Sequence, residues 1–160
     1  MVDKVNMEDI PDLVRLMHEI YGEEDTFANY LKEKYGLFVD KLNYAKMLIQ
    51  SLGNKNCLLL AGRNEEGAIV GMAQAFLTIY PLNPELWMIN LLTCGVHQNA
   101  RKTKVGKELI SSVEQWGREN GALAMVMNVP YHNSVFSASV PERLKRMGFE
   151  ECEMEFIKKL

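Results

Sequence analysis

Cysteine is scarce in this chain and poorly placed for pairing. Cys57, Cys94 and Cys152 are odd in number, far apart and without a Cys-x-x-Cys step. That excludes a disulfide framework or a thiolate zinc site, so no metal is expected, and it fits reduced thiols in a cytoplasm. Apolar runs are short, and none approaches the roughly 18 residues that cross a bilayer. The stretch Met1-Val2-Asp3-Lys4-Val5-Asn6 lacks a charged-then-apolar pattern, so the expectation is no signal peptide and a cytoplasmic location. Repeats, low-complexity tracts and long linkers are missing. So is an excess of positive charge: 18 Lys and Arg stand against 21 Asp and Glu, a net charge of −3, which argues against general nucleic-acid affinity. What remains is 160 residues, 48% hydrophobic and 24% charged. That is enough for one globular domain over residues 1–160 with a sizeable core.

Asp9-Ile10-Pro11-Asp12 has the form of a helix start, with proline tolerated in the first turn. Ile10, Leu13, Val14, Met17 and Ile20 then keep helical spacing. Residues 21–36 are polar, acidic and aromatic, which suits a loop with a short helix. A second amphipathic helix is expected over 40–52, ended by Gly53. Residues 57–61 and 68–80 are strand-like, and Asn64-Glu65-Glu66-Gly67 between them has the chemistry of a hairpin. Tyr80-Pro81-Leu82-Asn83-Pro84 breaks the chain before a strand from Leu86. Residues 105–120 are expected as a helix, 122–129 as a buried strand, 141–147 as a short helix stopped by Gly148, and 149–160 as a closing strand. The order implies an α/β (α+β) class: a single mixed sheet with helices on both faces.

The most telling stretch is Val96-His97-Gln98-Asn99-Ala100-Arg101-Lys102-Thr103-Lys104-Val105-Gly106-Lys107. It runs from the apolar strand into the amphipathic helix. The first N–H groups of a helix have no partners inside it, and the helix dipole favours an anion there. Arg101, Lys102, Lys104 and Lys107 add charge at the same place, so an anion site is expected. His97 beside it suits a structural or solvent-facing role.

With these elements the chain resembles the GNAT superfamily of acyl-CoA-dependent N-acyltransferases, over nearly its whole length. The family's pyrophosphate loop has the form Q/R-x-x-G-x-G/A, and Arg101-Lys102-Thr103-Lys104-Val105-Gly106 falls on it. Arg101 and Gly106 fit, whereas Lys104 replaces the first glycine. The Gly148-Phe149 pair fits the family's closing helix-to-strand turn. The resemblance implies a mostly antiparallel sheet splayed between its fourth and fifth strands. It further implies acetyl-CoA as cosubstrate, its pantetheine arm against the backbone of Cys94 and Val96 and its pyrophosphate on amides from Lys102 through Thr103, Lys104, Val105 and Gly106 to Lys107. Lys104 either grips a phosphate directly or is a solvated lysine on a slightly wider loop.

The resemblance also implies a Glu on the fourth strand as base and a Tyr four residues before the Gly-Phe turn as acid. Asn90 and Leu144 stand at those positions. Asn90 can orient a water, and substitutes must come from the cleft mouth. Tyr131 is a candidate acid, His132 a candidate acid or base, and Glu85 a remote base through water. Asn133 or Ser137 is placed to bond the pantetheine, and Ser139 is read as the N-cap of the last helix. Cys94 admits an acyl-cysteine route, although a lone thiol in an apolar strand is more simply packing. Tyr21-Gly22-Glu23-Glu24-Asp25-Thr26-Phe27-Ala28-Asn29-Tyr30 would border the acceptor, where carboxylates and aromatics attract a cationic amine, or is a solvated acidic loop.

The implied function is an N-acetyltransferase moving an acetyl group from acetyl-CoA to a primary amine, on a small molecule or a protein, by direct attack in a ternary complex. The alternative is a catalytically degenerate domain of the same fold that binds CoA or a protein partner. A third reading makes the basic loop a nucleic-acid contact. No membrane partner is expected, and strand 149–160 offers an edge for a homodimer.

Overall fold

The structure is a computed structural model and describes residues 1–22, 32–34, 36, 40–129 and 135–151. It divides into two compact units. The first holds residues 1–20 and 39–128, the second residues 21–38 and 129–160.

The first unit is a five-stranded sheet in the order β1-β2-β3-β4-β5. Its strands are β1 (Val2–Lys4), β2 (Cys57–Arg63), β3 (Ile69–Tyr80), β4 (Asn83–Val96) and β5 (Ala122–Met127). β1 to β4 are antiparallel neighbours, and β5 lies parallel to β4. Helix α1 (Ile10–Gly22) follows a 3-10 turn, Met7–Asp9, whose Asn6 and Asp9 form a reciprocal capping box. Helix α2 (Lys41–Leu52) starts on the Asp40 side chain, which accepts from the Asn43 amide at 2.7 Å. Gly53 ends it, but at φ −83°, so the left-handed freedom of glycine is not used there. Helix α3 (Val105–Glu119) buries Val105, Leu109, Ile110, Val113 and Gly117, one stripe at helical spacing.

The sheet is covered on both faces. α3 lies on one: a Cβ on Gly62 or Gly71 would come within 2.5 or 3.0 Å of Val105 Cγ1, and one on Gly117 would overlap Ile89 Cδ1. α1 and α2 lie on the other, where a Cβ on Gly95 would meet Ile20 and Met17, the Tyr44 hydroxyl reaches Met72 Sδ, and Gln74 bonds Ser51. Strand alternation follows from these contacts: Cys94, Leu91 and Ile89 face α3, while Asn90 and Thr93 face the α1–α2 side.

Several sequence expectations are corrected. β4 begins at Asn83, not Leu86, because Tyr80 pairs with Asn83 across a tight Pro81-Leu82 turn. β5 stops at Met127 and is not buried: Leu123 is 74% exposed, so an apolar run read as core forms a half-open strand.

In the second unit residues 32–34 are helical, and helix α4 spans Val135–Arg146, with Pro141 inside it. It starts six residues before the expected Pro141, so Ser139 is not its N-cap. Gly148, at φ +89°, ends it as expected, with the Phe149 amide donating to Leu144 O at 3.0 Å. Residues 149–151 carry no strand, and 152–160 lie outside the described residues.

Candidate functional site

The β4–β5 pairing runs only from Trp87↔Ala122 to Leu91↔Met127. β4 goes on alone to Val96, still paired with β3 on its other side. The parting coincides with a bulge: Gln74 pairs with Thr93 and Ala75 with Leu91, leaving Leu92 extra on β4.

Beyond the bulge the direction of the backbone can be read. The His97 amide donates to Val70 O of β3 at 2.8 Å. Alternate residues point to opposite sides, so Cys94 and Val96 turn their N–H and C=O groups away from β3, where no described strand meets them. The Val96 carbonyl is partly taken, since Arg101 Nε donates to it at 3.3 Å. That contact folds the Arg101 side chain back onto the end of the strand.

The strand then turns into α3. His97 caps the 3-10 turn Gln98–Ala100, its Nδ1 accepting from the Asn99 amide at 3.3 Å while Nε2 lies 3.9 Å from Glu19 Oε2. This is the structural role expected of it. Thr103 is also occupied by the turn: its amide and its hydroxyl both donate to Ala100 O, and Oγ1 lies 3.4 Å from the Val105 amide. The expected run of free amides is therefore narrowed, because Thr103 and Val105 do not offer theirs. Lys104 stands at the N-cap with no capping side-chain bond, and the Glu108 amide closes the first turn on Lys104 O at 2.9 Å. The amides of Gly106 and Lys107 are left without a partner from the helix or a cap.

Lys104 has φ −79° and ψ −9°, ordinary right-handed backbone. The loop thus does not require glycine at that position, which explains how lysine replaces it. Lys102, Lys104 and Lys107 are exposed and form no ion pair among the described residues. Gly62 and Gly71, which the sequence reading passed over, let Val105 settle against the sheet and so set where this helix begins. Glycine inside an apolar strand was the available signal.

The candidate catalytic groups are dispersed. Asn90 is exposed on the α1–α2 side, between Phe76 of β3 and Val126 of β5. Glu85 is exposed at the start of β4, about 16 Å from Asn90 along an extended strand, and the structure does not bring the two together. Tyr131, His132, Asn133 and the acidic stretch 23–30 lie outside the described residues. Leu144, at the position of the family's acid, is a buried leucine in α4. Burial pushes the Cys94 thiol up to about 11, so little thiolate exists near neutral pH. Among the described residues no group of His, Cys, Asp and Glu could hold a metal, and no helix is long and apolar enough to cross a membrane.

The sequence matches the acetyltransferase (GNAT) family over residues 15–135. The chain belongs to the GNAT acetyltransferase family. As a family member it is an acyltransferase, and its splayed mixed sheet is the family's fold. Solved structures agree on the fold. A transcriptional regulator from Bacillus halodurans is similar at TM-score 0.76 and 16% identity, covering 100% of this chain and 99% of that one. A GNAT family acetyltransferase from Staphylococcus aureus gives 0.67 and 17%, with 100% and 98% covered. An aminoglycoside acetyltransferase from an uncultured soil metagenomic sample, in complex with sisomicin, gives 0.67 and 18%, with 100% and 95% covered. Among curated proteins, none matches the sequence.

Proposed function

We propose that the protein, as one domain over residues 1–160, is an N-acetyltransferase that moves the acetyl group of acetyl-CoA to a primary amine by direct attack in a ternary complex, in the cytoplasm. One observation carries this reading. The outward backbone groups of Cys94 and Val96, past the last β4–β5 pair, lead straight to the start of α3, with its partnerless Gly106 and Lys107 amides and three lysines that pair with no carboxylate among the described residues. An extended amide chain can lie along the first as an added strand, and a pyrophosphate suits the second. Acetyl-CoA supplies both in one molecule, together with the activated acyl group.

Each residue then has a definite task. The Val96 amide and the Cys94 backbone hold the pantetheine. The Gly106 and Lys107 amides hold the pyrophosphate, with charge from Arg101, Lys102, Lys104 and Lys107. Backbone N–H groups at the Leu92 bulge are suitably sited to stabilise negative charge on the thioester oxygen. Asn90 cannot take a proton but can orient a water. Tyr131 and His132 remain the candidates for acid and base, with Glu85 more remote.

Thermal unfolding with and without acetyl-CoA, beside a matched nucleotide, tests the cofactor site. At about 100 times its dissociation constant the ligand adds roughly 2.7 kcal/mol, a shift of about 5–10 °C for a domain of this size. A shift with acetyl-CoA alone supports the site, and an amine screen then tests turnover. Aminoglycosides belong in that screen because of the similar aminoglycoside acetyltransferase. Asn90 and Leu144, where the family uses Glu and Tyr, favour a second reading: a domain that binds CoA without turnover. Binding with no acetylation of any amine would support it.

A further inference from the structure

Away from the Val96 end of the sheet, one face carries accessible apolar side chains and a single free amide. Cys57 of β2 fixes which face this is. Its thiol lies within hydrogen-bond reach of Ser51 and Gln74, beside the end of α2, and Phe76 of β3 is its direct partner in the ladder. Ladder partners share a face. Phe76 pairs in turn with Asn90 of β4, and Asn90 with Val126 of β5. Thr78 pairs with Met88, and Met88 with Ala124. These side chains therefore line one surface, continuous with the face that α1 and α2 cover. α2 stops at Leu52, one residue past Ser51, and the surface keeps its access to solvent: Asn90 and Ala124 are exposed, while Phe76, Thr78, Met88 and Val126 are half-buried.

The chemistry of this surface is uniform. None of these residues is charged. The Thr78 hydroxyl is engaged with Met88 O at 3.3 Å, while the Asn90 side chain has no hydrogen-bond partner among the described residues. A neutral amide thus stands alone on an apolar floor, about 7 Å along the strand from the Leu92 bulge, whose amides are assigned to the thioester oxygen. That continuity says what occupies the floor. We propose that it seats the acceptor and selects a monoamine carried on an apolar, aromatic frame, with Asn90 Oδ1 accepting from the amine N–H. A ring laid on Phe76 and Met88 removes apolar surface from water on both partners. A second ammonium set there would lose its water and find no counter-charge. The nitrogen attacks in its neutral form: the C–N bond forms, the C–S bond breaks, and the proton shed by nitrogen ends on the CoA sulfur. The inference rests on the N-acetyltransferase reading and narrows its substrate class.

Matched amines test it: 2-phenylethylamine, its 4-aminomethyl derivative, which is the same frame with a second ammonium, and sisomicin as a polycation. The expected result is a kcat/KM for phenylethylamine about tenfold or more above either charged amine. Met88→Glu puts a carboxylate on the floor beside Asn90. It should move the ratio toward the derivative by about tenfold, with an unchanged acetyl-CoA thermal shift. Equal or better turnover of a charged amine by the wild type, or an unchanged ratio in folded Met88→Glu, would overturn the proposal. The wild-type comparison decides it if Met88→Glu does not fold. A face taken instead by a second copy of this chain would also overturn it, and would show as a dimer in sedimentation that Met88→Glu disperses. No acetyl-CoA shift in the wild type, or acetylation of no amine at all, overturns the functional reading itself, whereas turnover of the charged amines alone overturns only the substrate class.

Discussion

Two cationic regions of the first unit are opposite in state. At the β1–β2 corner, Arg63 has every nitrogen engaged: Nε with Asp3 at 3.0 Å, one terminal nitrogen with Asp9 Oδ1 at 2.8 Å and the other with Gly67 O at 3.4 Å. Asp9 completes the circuit by accepting from the Asn6 amide at 3.0 Å. At the start of α3, Lys102, Lys104 and Lys107 meet no carboxylate among the described residues, and no side chain among them meets the Gly106 and Lys107 amides. A satisfied charge ties elements together and has nothing left to offer a ligand. An unsatisfied cluster beside free amides adds nothing to folding, and its use lies in binding. Substitutions in the first should therefore cost stability, and in the second affinity, with little crossing over.

The largest effect is expected at the corner. Arg63→Met leaves Asp9, 8% exposed, without its cation, and should cost about 2–3 kcal/mol in urea unfolding, toward the lower side for a pair this near the surface. Acetyl-CoA affinity should stay within about twofold. The same variant changes the acid limb. Burial by itself would raise the Asp9 carboxyl, but the Arg63 and Asn6 hydrogen bonds and the Arg63 charge outweigh it and hold it below its usual value. A lowered folded value gives stability that is present above the ordinary aspartate range, about 4, and lost as the pH falls through the folded value. Wild type should show that loss in acid and Arg63→Met should show less of it. An unchanged acid limb would remove Asp9 from the account.

At the other region the sign of the effect reverses. A Cβ on Gly106 would lie 3.4 Å from Val96 Cγ2, which folding can absorb. Gly106→Val should therefore melt near the wild type yet lose acetyl-CoA binding by about 100-fold, because the backbone can no longer approach the phosphate closely. Wild-type affinity would refute the placement of the pyrophosphate. Lys104→Gly is milder. With φ at −79° glycine gains nothing conformationally, so only the charge is lost, and affinity should fall by about 1–2 kcal/mol if the lysine grips phosphate. Equal or better binding, read by calorimetry at low salt, would make Lys104 a solvated lysine.

What the sequence made legible was local. Helical spacing in 10–20 and 105–119, the Asn64–Gly67 hairpin and the loop from Arg101 to Gly106 depend on neighbours a few residues away, and they stand where expected. Several of the misplacements depended on partners distant in the chain. Residues 122–127 are apolar throughout, and only pairing decides that they form a half-open strand. Pro141 looked like a helix start because proline suits a first turn, yet it is equally a residue an established helix can carry at some cost. The Leu92 bulge is a mismatch between two strands and has no signature in either alone. Gln74 is one polar residue in a largely apolar strand, and its side-chain carbonyl is left without a partner while Ser51 donates its proton to Met47 O.

The smallest expected effect bears on mechanism. Cys94 stands in the middle of the candidate site, and its backbone is assigned to the pantetheine, so its thiol is the natural suspect for an acyl-enzyme. Its thiol is held near 11 by burial with no compensating cation, and Cys94 faces α3, away from the Asn90 side. Backbone groups survive a side-chain change. Cys94→Ala should then keep kcat within about twofold and lose about 1 kcal/mol of stability, the loss of one small half-buried group. A covalent route would instead abolish turnover while leaving the acetyl-CoA shift intact, and mass spectrometry of the wild type with acetyl-CoA alone would show an added acetyl group that the variant lacks. Retained activity without that adduct leaves direct attack as the route, and returns the search for acid and base to Tyr131 and His132.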